Sequence, residues 1–171
     1  MDIDTVKLLA SYNEKTNEQM NALISRLEAA QWDHTFATFF PSIRLMCNHL
    51  YVSDFNWLRR FSALRDFRYA RDSLFSQEIG YGKEAFVTQG DYLSKRKYLD
   101  KLITAFANEV TDADLGQSLT YKDLRGNEHT RNFGGLALGC FNHQTHHRGM
   151  ISVFLEMLGI ENDYSSLWNL L

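Results

Sequence analysis

Proline is nearly absent from this chain: Pro41 is the only one among 171 residues. Proline removes a backbone donor and breaks a helix from within, so its scarcity leaves long helices free to run. Cysteine is almost as rare. Cys47 and Cys140 could form one bridge by count, but two cysteines make no disulfide framework, and reduced thiols in a cytoplasmic protein are the expectation. An excess of positive charge is also missing. The 18 Lys+Arg stand against 21 Asp+Glu, a formal net charge of -3, which argues against the basic surface of a nucleic-acid binder. The densest basic cluster, Lys95-Arg96-Lys97, sits among Tyr and Asp and reads as a solvated helix face. No apolar run approaches the ~20 residues needed to cross a bilayer. The opening Met1-Asp2-Ile3-Asp4 lacks the basic and apolar regions of a signal peptide. No membrane partner and a cytoplasmic location are therefore expected.

What the chain does have is helical periodicity. Hydrophobic residues make up 44% and charged residues 23%, the proportions of an ordered globular protein, and the length suits one domain over 1–171. Leu9, Tyr12, Thr16, Met20, Leu23 and Leu27 recur at three- and four-residue steps and predict a helix over 4–30, with Asp4 as N-cap. The polar stretch Asn13, Thr16 and Asn17 interrupts that face, either where it drifts into solvent or where it lines a pocket. Pro41 suits a first helical turn, and Ile43, Met46, Leu50, Ser53 and Trp57 give one face to a second helix over 41–63. Tyr92, Leu99, Leu102, Ile103 and Phe106 do the same for a third over 91–110. The fourth runs over 133–158 and stops at Gly159, a natural residue just beyond a helix end. Between the second and third lies an irregular stretch, 65–90, broken by Gly80, Gly82 and Gly90, expected to carry short helical pieces packed over the bundle. A β-hairpin is predicted over 118–132, turning at Gly126-Asn127. The apolar tail from Ile160 to Leu171 is expected to pack on the body.

The chemistry concentrates in histidine. His34 falls in a linker and His129 in the hairpin, both expected to be exposed. His143 and His147 are four residues apart within a helix, so their imidazoles share one face, one turn apart. That is a common way for a helix to offer two nitrogens to one metal ion. His49 falls between Met46 and Leu50 on the inner side of another helix. Buried imidazoles need partners: either backbone and Asn groups satisfy these three as core histidines, or one ion satisfies them together. Three histidines with positions left open is the pattern of a catalytic zinc site; a structural site is closed by four protein ligands. His146 points to the flank of the stripe. Cys140, one turn before His143, is either a fourth ligand or a small buried hydrophobe, whereas Cys47 lies about 200° around the helix from His49. No Gly-rich phosphate loop, G-x-S-x-G elbow or Cys-x-x-Cys pair occurs, and no carboxylates sit at the E-x-x-H spacing of di-iron bundles.

Several segments together resemble the DinB/YfiT-like family of metal-dependent enzymes. These are Tyr12-Asn13 with Asn17, Phe40-Pro41-Ser42-Ile43, Asn48-His49-Leu50-Tyr51-Val52-Ser53-Asp54, Leu119-Thr120-Tyr121-Lys122-Asp123, and above all Phe141-Asn142-His143-Gln144-Thr145-His146-His147-Arg148-Gly149. They occur in the family's order and span nearly the whole chain. The resemblance implies an all-α, up-down-down-up four-helix bundle with a long crossover between its second and third helices and a hairpin before the last. It implies that His49, His143 and His147 hold a divalent ion (Zn, Ni or Fe), and that the protein is a homodimer acting on a small molecule. The family's understood branches handle low-molecular-weight thiols. Thiol transfer or hydrolysis is thus the expected reaction, with a thiol as an accompanying cofactor; a non-catalytic stress-response metal protein is the alternative. Asn13, Asn17 and Asp54 are expected around the cofactor or behind the metal ligands. Met150 stands where many relatives have Gln, a departure that removes no ligand.

Overall fold

The structure is a computed structural model that describes residues 1–164 and 166–170. Four long helices dominate: α1 (Ile3–Ile24), α3 (Ile43–Phe61), α4 (Gln89–Glu109) and α6 (Phe133–Met157), with two single-turn helices, α2 (Ala29–Trp32) and α5 (Asp112–Leu115). The strands β1 (Ser118–Lys122) and β2 (Glu128–Asn132) pair antiparallel, with Ser118 opposite Asn132. None of the described helices is long and apolar enough to cross a membrane.

Each long helix begins at a side-chain oxygen that accepts an otherwise unpaired N–H of the first turn. Asp2 accepts from the Thr5 amide, Ser42 from Leu45, Thr88 from Asp91 and Asn132 from Gly135. The caps therefore fall at Asp2 rather than Asp4, and at Ser42 one residue after the proline. Helix α1 stops at Ile24, short of the predicted residue 30. The reason is tertiary: the Gln89 side-chain amide donates to the Ile24 and Leu27 carbonyls, replacing the bonds a longer helix would have made. Helix α6 ends as expected, with Gly159 at φ 78° and the Ile160 amide returning to the Leu155 carbonyl at 2.9 Å.

Cross-helix contacts fix the topology. Glu14 meets Thr104 while Asn21 meets Tyr92, so α1 and α4 run antiparallel. Asp54 meets Arg96 and Phe61 meets Phe106, so α3 and α4 run parallel. His49 meets His143 and Phe61 meets Phe133, so α3 and α6 are antiparallel. The result is up-down-down-up. A parallel α3–α4 pair requires a long return, and 62–88 supplies it, with short 3-10 turns at Tyr69–Arg71 and Ser73–Ser76. Phe67, Tyr69 and Phe86 bury against the bundle, as expected for a crossover held by its aromatics.

The hairpin turns through Gly126 at φ 84°. The Asp123 carboxylate organises the turn by accepting from the Arg125 and Asn127 amides. His129 is half-buried, not exposed, because its Nε2 lies 2.9 Å from Asp123. His34 is exposed. In the tail, the buried Tyr164 donates to the Arg148 carbonyl at 2.8 Å. Trp168, by contrast, is 81% exposed and does not pack as expected; Leu171 lies outside the described residues.

Candidate metal centre

The parallel and antiparallel pairings bring α3 and α6 face to face at the level of the histidines. His49 Nε2 lies 3.0 Å from His143 Nε2 and 3.1 Å from His147 Nε2. All three donor atoms fall within 4.8 Å of one another, and among the described residues the group includes no Cys, Asp or Glu. Burial pushes the His49 imidazole down to about 4, helped by the neighbouring His143. It pushes His147 to about 3, with His143 and His49 adding to the effect, and His143 is lowered by the same cause. Near neutral pH all three rings are uncharged, and a neutral imidazole has one N–H and one lone pair. An Nε2–H on one ring can donate to the lone pair of a neighbour, but three converging nitrogens cannot all be paired this way at once. One ion about 2.0–2.1 Å from each would satisfy all three lone pairs, and imidazole donors suit zinc, copper, iron and nickel. The donor set thus fits a divalent ion.

The surroundings hold the rings by packing. Phe40 stacks on His49 with centroids 4.3 Å apart and meets His147 edge-on at 5.7 Å. His147 Nδ1 is buried with no hydrogen-bond partner among the described residues, so on that side the ring is held by packing. His146 is exposed beside His147, ring centroids 4.8 Å apart, and outside the group. Cys140 is also outside it. Its thiol, raised well above its ordinary range by burial and then by Asp54, lines a cavity of about 20 Å³ with Asp54, Trp57 and Gln144. It is a small core hydrophobe, and Cys47, pushed up to about 12 by burial, is another. Both thiols are free.

Beside His49 a cleft of about 240 Å³ opens between the Phe39–Pro41 segment, α3 and residues 81–84. Two asparagines of α3 hold the 79–85 segment against it, and Asn48 itself lines the cleft. Asn48 donates to the Lys83 carbonyl at 2.9 Å and accepts from the Ala85 amide at 2.7 Å. Asn56 donates to the Ile79 carbonyl at 2.9 Å. The sequence signals for them were the place of Asn48 in the segment around His49 that carries the family resemblance and the helical register of Asn56 with His49 and Val52.

Asn13, Asn17 and Asp54 lie elsewhere. None lines that cleft, and all three are at most 4% exposed within a network that crosses the bundle. Asn13 and Asn17 donate to Asp100 Oδ1 at 3.1 and 2.8 Å. Arg96 donates to Asp54 at 2.6 Å and to Asp100 at 2.7 Å. Arg148 donates to Asn13 and to Gln144 and lies over the Tyr12 ring. The polar interruption of the α1 face therefore neither drifts into solvent nor lines the cleft; it bonds to buried ions. Arg96, 2% exposed, corrects the reading of Lys95-Arg96-Lys97 as a solvated face. Its flanking lysines point outward, while Arg96 continues the buried row of Tyr92 and Asp100. Met150 is partly buried and packs on the core.

Among solved structures, a DinB-like protein from Bacillus subtilis superposes with a TM-score of 0.63 at 15% identity, covering 90% of this chain and 94% of that one. A second, from Bacillus cereus, gives 0.57 at 18% identity over 85% and 87%. At these identities the likeness shows the fold. No curated protein matches the chain. The DinB family model matches residues 2–165, nearly the full length including the histidines of α3 and α6, and the chain belongs to the DinB family.

Proposed function

We propose that this protein is a metal-dependent enzyme in which His49, His143 and His147 hold one divalent ion (zinc, nickel or iron) for thiol transfer or hydrolysis on a small molecule, with a low-molecular-weight thiol as a second cofactor. The observation that carries this reading is the convergence of three uncharged imidazole nitrogens, two pairs of them 3.0 and 3.1 Å apart, beside a cleft that reaches His49. When bound, the ion would lower the pKa of a coordinated water or thiol toward neutrality. The chain's own residues do the rest. The i, i+4 step of α6 presents two nitrogens and α3 the third. Phe40 covers the His49 ring and keeps water from that side. Asn48 and Asn56 fix the cleft wall to the helix that carries His49.

A non-catalytic stress-response metal protein is the competing reading, and the cleft favours the enzyme: a storage or structural site is expected to be closed by a fourth protein ligand. The decisive variant is His143→Ala. The purified wild type is expected to carry one equivalent of metal by elemental analysis, and the variant none, with unchanged helical circular dichroism. One equivalent retained at unchanged affinity would overturn the assignment. Family membership also supports a cytoplasmic two-fold dimer, the commonest symmetric assembly. Light scattering at micromolar concentration should give twice the chain mass of 19.9 kDa; a monomer would refute it.

A further inference from the structure

The cleft beside His49 also carries information about what enters it. Its walls are aromatic and aliphatic: Phe39, Phe40, Leu45, Val52 and Tyr81. Phe39 is 88% exposed at the mouth, held edge-on against Phe40 with centroids 4.9 Å apart. A large side chain so placed gains nothing for the fold, yet offers a ring face to anything lying in the cleft.

The polar groups of the walls are already engaged. Asn48 uses its side-chain amide and carbonyl on the backbone of Lys83 and Ala85. Glu84, the one charged residue of the lining, is paired with Arg44 at 2.5 Å, and Arg44 also binds Asp33. The Tyr81 hydroxyl accepts from Arg60 at 3.3 Å, and Arg60 is itself packed over the Trp57 and Tyr121 rings. Among the described residues no cationic side chain lines the cleft. A carboxylate or phosphate on the far part of a ligand would find no partner there and would lie next to Glu84. Desolvating such a charge without compensation is costly, whereas an uncharged ring would bury apolar surface on both sides.

We infer that the cleft is a specificity subsite for an uncharged, aromatic or bulky apolar substituent, with Phe39 as a specificity-determining residue. The substrate class is thus a small molecule whose reacting end reaches the three histidines and whose other end is apolar. This rests on the metal reading above, and the two fail in different ways.

Hydroxamates that differ only in their tails separate them. Protein loaded with one equivalent of Zn²⁺ is titrated calorimetrically with acetohydroxamate, benzohydroxamate and a hydroxamate bearing a terminal carboxylate. The aromatic tail is expected to bind about tenfold more tightly than the methyl, a change of about 1.4 kcal/mol, and the anionic tail no better than the methyl. Phe39→Ala should erase most of the aromatic gain and leave acetohydroxamate unchanged; its side chain is exposed, so the fold should tolerate the loss. Val52→Glu, a second variant at the inner wall, should weaken the aromatic ligand selectively. If metal and acetohydroxamate bind but the ring gains nothing, or Phe39→Ala leaves its gain intact, or the anionic tail binds best, the subsite is refuted and the metal site stands. If neither metal nor any hydroxamate binds, both readings fall.

Discussion

Two buried polar constellations sit in this bundle, and they differ in whether the protein supplies opposite charge within them. The network of Arg96, Arg148, Asp54 and Asp100 is balanced in charge, two guanidinium groups against two carboxylates, with Asn13, Asn17 and Gln144 filling further valences, although the Nε atoms of both arginines find no hydrogen-bond partner among the described residues. The three histidines are not balanced. Their rings are uncharged, and whichever tautomers they adopt, three converging nitrogens cannot be matched one donor to one lone pair without leaving one over. Burial raises Asp100 to about 6 against the pull of Arg96. We read the carboxylate as ionised all the same, because Arg96 and two asparagine amides all donate to its Oδ1. A buried cluster whose charges cancel fixes how helices meet; three uncharged imidazoles aimed at one point ask for a ligand.

The comparison breaks most easily at Arg96. Removing one partner of a buried ion group leaves uncompensated charge, at a cost of roughly 3–5 kcal/mol. Arg96→Met should lower unfolding free energy by that amount in urea titrations, since Asp54 and Asp100 both lose a donor. A loss below about 1 kcal/mol would show that the network is incidental to stability, as a surface ion pair is. The next effect belongs to the histidines. The wild type should gain about 2.7 kcal/mol of apparent stability when free metal stands a hundredfold above its Kd, and His143→Ala should gain nothing under the same conditions. An equal gain in both would place the ion elsewhere.

The remaining test is a pH slope in the metal-free protein. An unfolded chain takes up protons on these imidazoles near 6.5, whereas folded His49 and His147 resist until about 4 and about 3. Their folded values are lowered, so the unfolded state binds more protons in between, and stability falls as pH drops below 6.5. Urea midpoints of metal-free protein should decline from pH 6.5 toward 4. Replacing His147 by Gln should flatten the decline; a slope unchanged by that replacement would assign it to other groups.

Much of this was legible in the residues. The i, i+4 spacing of His143 and His147 and the stripe position of His49 follow from helical period alone, and Gly126-Asn127 and Gly159 mark their turns by backbone freedom. The asparagines and arginines were harder. Asn13 and Asn17 look like a gap in an apolar face when the helix is read by itself, and Arg96 looks solvated because lysines flank it. Adjacent residues on a helix are about 100° apart, so Lys95 and Lys97 say nothing about where Arg96 points. Its register with Tyr92 and Asp100 was the better signal.

What the sequence determined by itself was local: where helices start at Ser, Thr, Asp and Asn caps, which faces are apolar, and which histidines share a face. Only the tertiary structure decided which buried polar groups find each other. Asp54 and Arg96 are 42 positions apart and His49 and His147 are 98 apart, and no periodicity links such pairs. They meet because the crossover makes α3 and α4 parallel while α3 and α6 run antiparallel. That puts charge opposite charge at one level of the bundle and imidazole opposite imidazole at another.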